Sequence, residues 1–125
     1  PASDARARLS HAPVYEHERQ GLLWMCTYMH MVQLLILLPH LSPEDIDLLV
    51  PHQANLRISE YVRQQMGLPE EKVINNIQKY GNTTAASVPI ALSEAWEAGK
   101  VKEGDLICLA AFGSGFTWAS ALIKW

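Results

Sequence analysis

Two short apolar segments constrain the fold of this chain more than any other feature. Residues 46–50 (IDLLV) and 105–112 (DLICLAAF) are almost continuously apolar, as in strands buried on both faces of a sheet. The sequence between them has helical spacing, so the pattern predicts an α/β protein in which strands alternate with helices. Residues 113–115 (GSG) then reverse the chain into residues 116–125, which predicts an antiparallel last strand.

Two helices and one weaker strand are predicted between the apolar segments. Apolar residues recur at helical spacing over residues 58–66, and Gly67 is suited to end that helix in a left-handed conformation. Residues 73–77 are a weaker strand candidate. A second helix is predicted from Thr84 or Ser87 to Ala98, with a cap at Ser87 or a kink. Its predicted core face consists of Val88, Leu92, Ala95 and Trp96.

Composition and charge exclude several classes of protein. The chain has 125 residues and a formal charge of −3, a size typical of one domain and a charge that argues against nucleic acid as a partner. Cys26 and Cys108 lie in apolar surroundings without CxxC spacing, which predicts buried, reduced thiols. No signal-peptide pattern occurs in residues 1–20, and a cytoplasmic location is expected.

Residues 1–40 differ in character from residues 41–125, and we expect a boundary between them. Within the first part, residues 22–38 (LLWMCTYMHMVQLLILL) predict an apolar helix that ends at Pro39. This run is at the short limit for crossing a bilayer, and three polar residues interrupt it. A buried helix is therefore favoured, and a membrane segment stays open as the alternative.

Two polar side chains that follow predicted secondary-structure elements are the candidate functional groups. His52 opens the motif HQAN, and Asn82 lies in the motif GNTT. A neutral imidazole and a primary amide supply two directional hydrogen-bond donors without a fixed charge, a pair suited to hold a thioester carbonyl as it becomes an enolate. Neither group is a nucleophile. The alternative is structural: a hydrogen-bonded histidine at a strand end and an asparagine in a left-handed turn.

Three stretches of the chain resemble a known family. Residues 41–58 (LSPEDIDLLVPHQANLRI), 80–92 (YGNTTAASVPIAL) and 111–125 (AFGSGFTWASALIKW) resemble the carboxy-terminal half of β-ketoacyl-acyl carrier protein synthase III. The resemblance implies a thiolase-like α/β fold with a mixed, mostly parallel sheet and helices on its faces. It also implies that residues 41–125 are the carboxy-terminal domain of a condensing enzyme, an acyltransferase of fatty acid biosynthesis.

The resemblance also implies a role for individual residues. The catalytic pair is His52 and Asn82, the backbone N–H of Ser114 belongs to an oxyanion hole, Ala54 and Asn55 line the CoA and pantetheine channel, and Arg57 docks acyl carrier protein. Glycine usually occupies the position of Ser114. The expected substrates are acyl-CoA and malonyl-acyl carrier protein, with no cofactor and no metal site. The expected partners are acyl carrier protein, CoA thioesters and a second subunit in a homodimer.

The family's nucleophilic cysteine belongs to its amino-terminal half, and neither Cys26 nor Cys108 has the matching context. We therefore expect no nucleophile in this chain and no condensation by the chain alone. Residues 1–40 do not match the family in the frame given. A one-base shift of the codons for residues 15–17, 20–22 and 25–27 permits family-like text, so a frameshifted or disordered segment is one hypothesis. A noncatalytic carrier- or CoA-binding fragment, a gene remnant and a small membrane-associated protein are the alternative functions.

Overall fold

The computed structural model describes residues 41–113 and 117–125, which form one mixed sheet with helices packed against it. Its strands are β1 (Leu48–Pro51), β2 (Leu106–Gly113) and β3 (Thr117–Lys124), in the order β1-β2-β3. β1 and β2 run parallel, whereas β2 and β3 run antiparallel. The predicted α/β class and the antiparallel last strand are confirmed. The helix predicted at residues 22–38 and the predicted oxyanion residue Ser114 lie outside the described residues.

The helices of the described chain are α1 (Leu56–Gln65), α2 (Ile77–Tyr80) and α3 (Ser87–Glu97). Single 3₁₀ turns occupy Pro43–Asp45, Glu70–Lys72 and Thr84–Ala86. Gly67 follows α1 with a φ of 66°, a left-handed conformation that costs glycine little, so the predicted stop is confirmed. In residues 41–113 and 117–125, no helix is both long enough and apolar enough to cross a membrane.

The sheet is buried on both faces where β1 pairs with β2, whereas β3 is mostly exposed. Leu48 pairs in register with Ile107, and Leu49 pairs with Cys108, so neighbouring residues of each strand point to opposite faces. One face packs against α1 in the cluster Ile46, Leu49, Val62, Met66, Leu68, Val73, Cys108 and Ala110. The other face packs against α3 in the cluster Leu48, Val50, Ile74, Ala91, Ala95, Val101 and Ile107. Helices on both faces explain why the two strand segments are nearly continuous in apolar residues.

The strand predicted at residues 73–77 is wrong. Val73 forms a single parallel bridge with Leu49, and the chain then enters α2 at Ile77. The backbone N–H groups of Asn76 and Ile77 both donate to the side-chain oxygen of Gln53, at 2.9 and 3.1 Å. Because a side chain takes these donors, this segment cannot continue as a strand beside β1.

Two predictions about α3 are also wrong. Trp96, predicted to face the core, is 59% exposed, whereas Ser87, Ala91 and Ala95 are buried. These small residues recur every four positions and let the helix approach the sheet closely, which turns Trp96 to solvent. Ser87 does not cap the helix, because Ala86 occupies the N-cap position and Ser87 is the first helical residue. The Ser87 hydroxyl contacts the loop after β1 instead.

Candidate active site

His52 is the first residue after β1. Its backbone N–H donates to the carbonyl of Ala110 at 2.7 Å, which extends the pairing with β2 by one residue. The imidazole Nδ1 lies 2.5 Å from the hydroxyl oxygen of Ser87, and the ring of Phe112 meets the imidazole edge-on at 6.0 Å. Burial lowers the pKa of His52 from its ordinary value of 6.5. The imidazole is therefore predominantly neutral near pH 7.

Gln53 ties the end of β1 to the segment that leads to α2. Its amide nitrogen donates to the carbonyls of Pro51, at 2.8 Å, and Ile74, at 3.1 Å. Its amide oxygen accepts from the backbone N–H groups of Asn76 and Ile77. All four hydrogen-bonding positions of this buried amide are used. Sequence reasoning assigned Gln53 no role, and its only sequence signal is its place in the HQAN motif.

Asn82 follows α2 through a glycine hinge. Gly81 has a φ of 68°, and its N–H donates to the carbonyl of Ile77 at 2.7 Å. The side-chain oxygen of Asn82 accepts from the backbone N–H of Thr84 at 2.8 Å. The oxygen is occupied by this turn, and within residues 41–113 and 117–125 no hydrogen bond engages the amide nitrogen, which can therefore donate to a ligand. Thr84 has a φ of 55°, an uncommon left-handed conformation for a β-branched residue.

A carboxylate of α3 holds α2 in place. Glu94 accepts hydrogen bonds from the Tyr80 hydroxyl, the Lys79 ammonium and the Asn76 amide nitrogen. The hydrogen bond from Lys79 is the main reason that the pKa of Glu94 falls to about 2, so the carboxylate is ionised at any physiological pH. The loop that carries Asn82 thus begins from a helix that is anchored at both ends.

His52 and Asn82 line one open cavity of about 650 Å³. Ala54 lines the same cavity, and its role in a pantetheine channel stays a prediction. The remaining lining is mostly apolar and comes from α1, the 3₁₀ turn before α3, α3 itself, β2 and β3: Ile58, Thr84, Ala85, Val88, Ala111, Phe112, Gly113, Thr117, Trp118 and Ala119. An apolar cleft with a few convergent polar groups is typical of a site for a small molecule.

Two other predicted site residues lie at the start of α1. Asn55 is the N-cap of this helix, and its side-chain oxygen accepts from the backbone N–H of Arg57 at 3.0 Å. Asn55 does not belong to the cavity lining. The side chain of Arg57 is exposed to solvent. Their roles in pantetheine binding and carrier docking stay predictions.

The described part of the chain holds one cysteine, Cys108, in the middle of β2. Burial in the core raises the pKa of the Cys108 thiol to about 12, so almost no thiolate forms near neutral pH. This agrees with its predicted structural role. Cys26 lies outside the described residues. No group of three or more potential metal ligands occurs in residues 41–113 and 117–125.

Most of the chain matches a known protein family. The family model described as 3-oxoacyl-acyl-carrier-protein (ACP) synthase III C terminal matches residues 39–125. The chain belongs to the 3-oxoacyl-acyl-carrier-protein synthase III family. This is the family, under its alternative name, that the three sequence stretches resemble, and its thiolase-like α/β fold is confirmed.

Curated relatives in the synthase III family match about two thirds of this chain. The β-ketoacyl-acyl-carrier-protein synthase III of Caldanaerobacter subterraneus subsp. tengcongensis is 59% identical over 85 residues, which are 68% of this chain and 26% of that protein. That of Campylobacter jejuni is 57% identical over 81 residues, 65% of this chain and 25% of that protein. The chain therefore spans about a quarter of the length of these curated relatives.

A solved structure of the family has the same fold. The crystal structure of 3-oxoacyl-acyl-carrier-protein synthase III from Aquifex aeolicus aligns with a TM-score of 0.79 and 44% sequence identity. The alignment covers 81% of this chain and 33% of that chain. The sheet and the helices packed against it therefore have the synthase III fold.

Proposed function

We propose that this chain supplies the carboxy-terminal part of a synthase III active site, which joins an acyl group to a malonyl thioester. The observation that carries this proposal is that His52 and Asn82 line the same apolar cavity while each keeps a nitrogen available to a ligand. The amide of Asn82 has its oxygen occupied, so its nitrogen can donate. The imidazole of His52 is neutral and has one ring nitrogen engaged by Ser87.

In the proposed reaction, two donors hold the thioester oxygen of the malonyl group. The bond between the carboxylate and the α-carbon breaks, carbon dioxide leaves, and the electron pair moves into an enolate whose oxygen becomes negative. The enolate carbon then attacks the acyl thioester, and the cysteine thiolate that carried the acyl group leaves. His52 and Asn82 stabilise the enolate oxygen, and the apolar lining strengthens both hydrogen bonds because it excludes water.

The remaining requirements of the proposal concern partners. As the family resemblance implies, the nucleophilic cysteine comes from the amino-terminal region of a family member. Cys108 is unsuited to that role, because it is buried and burial raises the pKa of its thiol. Malonyl-acyl carrier protein docks with the help of the exposed Arg57. Its pantetheine arm, or that of acyl-CoA, passes Ala54 in the cavity and the adjacent Asn55 at the N-cap of α1. The reaction needs no further cofactor or metal, since hydrogen bonds stabilise the enolate. A homodimer and a cytoplasmic location complete the proposal.

Reconstitution tests this proposal. The full chain is mixed with the cysteine-bearing amino-terminal region of a relative, and formation of 3-oxoacyl product from acetyl-CoA and malonyl-acyl carrier protein is measured. We expect His52→Ala and Asn82→Ala each to lower the rate about 10²- to 10³-fold, the usual loss for one oxyanion donor. The exposed substitution Glu103→Gln is the control and should leave the rate unchanged. A rate no higher than that of the amino-terminal region alone contradicts the proposal.

A noncatalytic binding function is the second candidate, favoured by the unreactive state of Cys108. In that case the chain binds acyl carrier protein or a CoA thioester without condensing them. Carrier-protein binding, measured by fluorescence anisotropy, should weaken with Arg57→Glu and not with Lys100→Glu, which makes an equal change of charge at an exposed lysine elsewhere on the chain. Binding without any product in the reconstituted mixture supports this second function over the first.

A further inference from the structure

Ser87 is a buried serine whose hydroxyl is not used by its own helix. The residue is 1% exposed and occupies the first position of α3. Its hydroxyl oxygen lies 2.5 Å from Nδ1 of His52 and 3.3 Å from the backbone nitrogen of Gln53. A polar group this buried needs partners, and both of its partners belong to the loop that carries His52.

The direction of the bond between Ser87 and His52 follows from counting protons. A hydroxyl has one proton to donate and two lone pairs that accept. The backbone N–H of Gln53 can only donate, so it uses one lone pair of the Ser87 oxygen. Within residues 41–113 and 117–125, Nδ1 of His52 is the single acceptor in reach of the hydroxyl proton. If Nδ1 itself carried a proton, the Ser87 proton would be buried without an acceptor, which is unfavourable.

This bond direction determines which nitrogen of the imidazole is protonated. When Nδ1 accepts from Ser87, the neutral ring carries its proton on Nε2. His52 lines the cavity while Nδ1 is engaged by Ser87, so Nε2 is the nitrogen available to a ligand there. In this tautomer the ring offers a donor to a developing oxyanion, whereas the other tautomer would offer a lone pair that repels it.

We infer that Ser87 is a positioning residue that holds His52 in the Nε2–H tautomer by donating its hydroxyl proton to Nδ1. The backbone N–H of Gln53 orients that hydroxyl from the other side. The inference rests on the proposed function only for the identity of the oxygen that Nε2–H meets. The tautomer itself is a property of the chain without substrate, so it can be measured separately.

The experiment is nitrogen NMR of the ¹⁵N-histidine-labelled full chain at about pH 8, where the ring is neutral. Long-range proton–nitrogen correlations distinguish a protonated from an unprotonated ring nitrogen, and loss of signals in His52→Gln assigns the residue. We expect a protonated Nε2 and an unprotonated Nδ1 in the original chain. Ser87→Ala should produce Nδ1–H or a mixture of tautomers, and Ser87→Thr, which restores the hydroxyl, should restore Nε2–H.

Ser59→Ala is the matched control, because Ser59 is also a buried serine but its hydroxyl contacts Leu56 and Asn75. It should leave the His52 spectrum unchanged. A protonated Nδ1 in the original chain, or an unchanged Nε2–H tautomer in a folded Ser87→Ala variant, overturns the inference. If Ser87→Ala does not fold, the spectra of the original chain and of Ser87→Thr still decide it.

An activity measurement separates this inference from the proposed function. In the reconstituted mixture, Ser87→Ala should lower the rate of condensation about tenfold or more, and Ser87→Thr should recover most of it. An original chain with the Nε2–H tautomer but no activity leaves the inference intact and contradicts the proposed function. An active mixture whose His52 carries its proton on Nδ1 supports the proposed function and overturns the inference.

Discussion

Gln53 and Asn82 are primary amides in opposite situations, and together they describe how the cleft is built. Gln53 is 3% exposed and spends every donor and acceptor of its amide on the backbone. Asn82 is exposed, and in the part of the chain that the structure describes only its side-chain oxygen is hydrogen-bonded, to the backbone N–H of Thr84. The amide of Gln53 supports the cleft, whereas the amide nitrogen of Asn82 can donate to a ligand.

Replacement of Gln53 should be costly. Gln53→Leu has a similar volume but leaves two carbonyls and two N–H groups without their partner, so we expect a loss of about 3 kcal/mol in the free energy of unfolding. Urea titration of the full chain measures this loss. Gln64→Leu, at an exposed position of α1, is the control and should stay within about 0.5 kcal/mol. A loss below about 1 kcal/mol for Gln53→Leu would contradict the role we assign to the amide.

The ionisation of His52 should make stability depend on pH. Burial lowers the folded-state pKa below 6.5, so the unfolded chain binds more protons as the pH falls below that value. Stability should therefore be highest above pH 6.5 and should decrease as the pH falls through the folded pKa.

Urea midpoints at about pH 7.5 and about pH 5.5 measure this effect, and we expect a smaller change in His52→Gln. The carboxyl groups of Glu44, Asp45 and Glu94 have lowered pKa values and titrate below this window. An equal change in the original chain and in His52→Gln would show that another group is responsible.

At the scale of elements, α3 both packs on the sheet and positions the side chains of the candidate site. Ala91 and Ala95 let the helix lie close to β1 and β2, and Ser87 on the same ridge reaches His52. Glu94, on a neighbouring face, anchors α2 and hence the loop that carries Asn82. One helix therefore positions both candidate catalytic side chains, and its distance from the sheet is part of the site.

A larger side chain on the buried ridge of α3 should push the helix away. We expect Ala95→Leu to lower the free energy of unfolding by about 1–3 kcal/mol through overpacking. Trp96→Ala, one residue away on the exposed face, should change it by less than about 0.5 kcal/mol. Thermal unfolding followed by circular dichroism compares the two. If Trp96→Ala proved the more damaging change, the orientation of α3 would be wrong.

At the scale of the whole molecule, the sheet ends in an edge. Among residues 41–113 and 117–125, β3 pairs with β2 alone, and Ala121 and Trp118 on this strand are exposed. An edge strand with few charged side chains is a surface on which another strand can pair. The full chain should therefore associate through β3 as its concentration rises.

A charge on this edge should suppress association. We expect Ala121→Lys to shift sedimentation toward the monomer, because an edge lysine opposes strand pairing. Ala98→Lys adds the same charge at an exposed position just after α3 and is the control. If both variants shift equally toward the monomer, net charge rather than the edge of β3 controls association.

The sequence by itself determined the parts of this protein that depend on local pattern. Continuous apolar runs placed β1 and β2 in a two-sided sheet, the last strand returned as predicted, and Gly67 ended α1. Three motifs at consistent distances were enough to indicate the family, which the match to residues 39–125 confirmed. Periodicity and glycine positions report burial and backbone geometry directly, so these features could be predicted without a partner in space.

Only the tertiary structure decided which polar groups meet. Residues 73–77 did not continue as a strand, since Gln53, more than twenty residues earlier, takes the backbone donors at Asn76 and Ile77. Ser87 appeared to be a cap, yet its hydroxyl bonds to His52, 35 positions away. A donor or acceptor can bond to any suitable group that the fold brings within about 3 Å. The local sequence does not show which groups those are. The cleft therefore depends on contacts between elements, whereas the elements themselves depend on the local sequence.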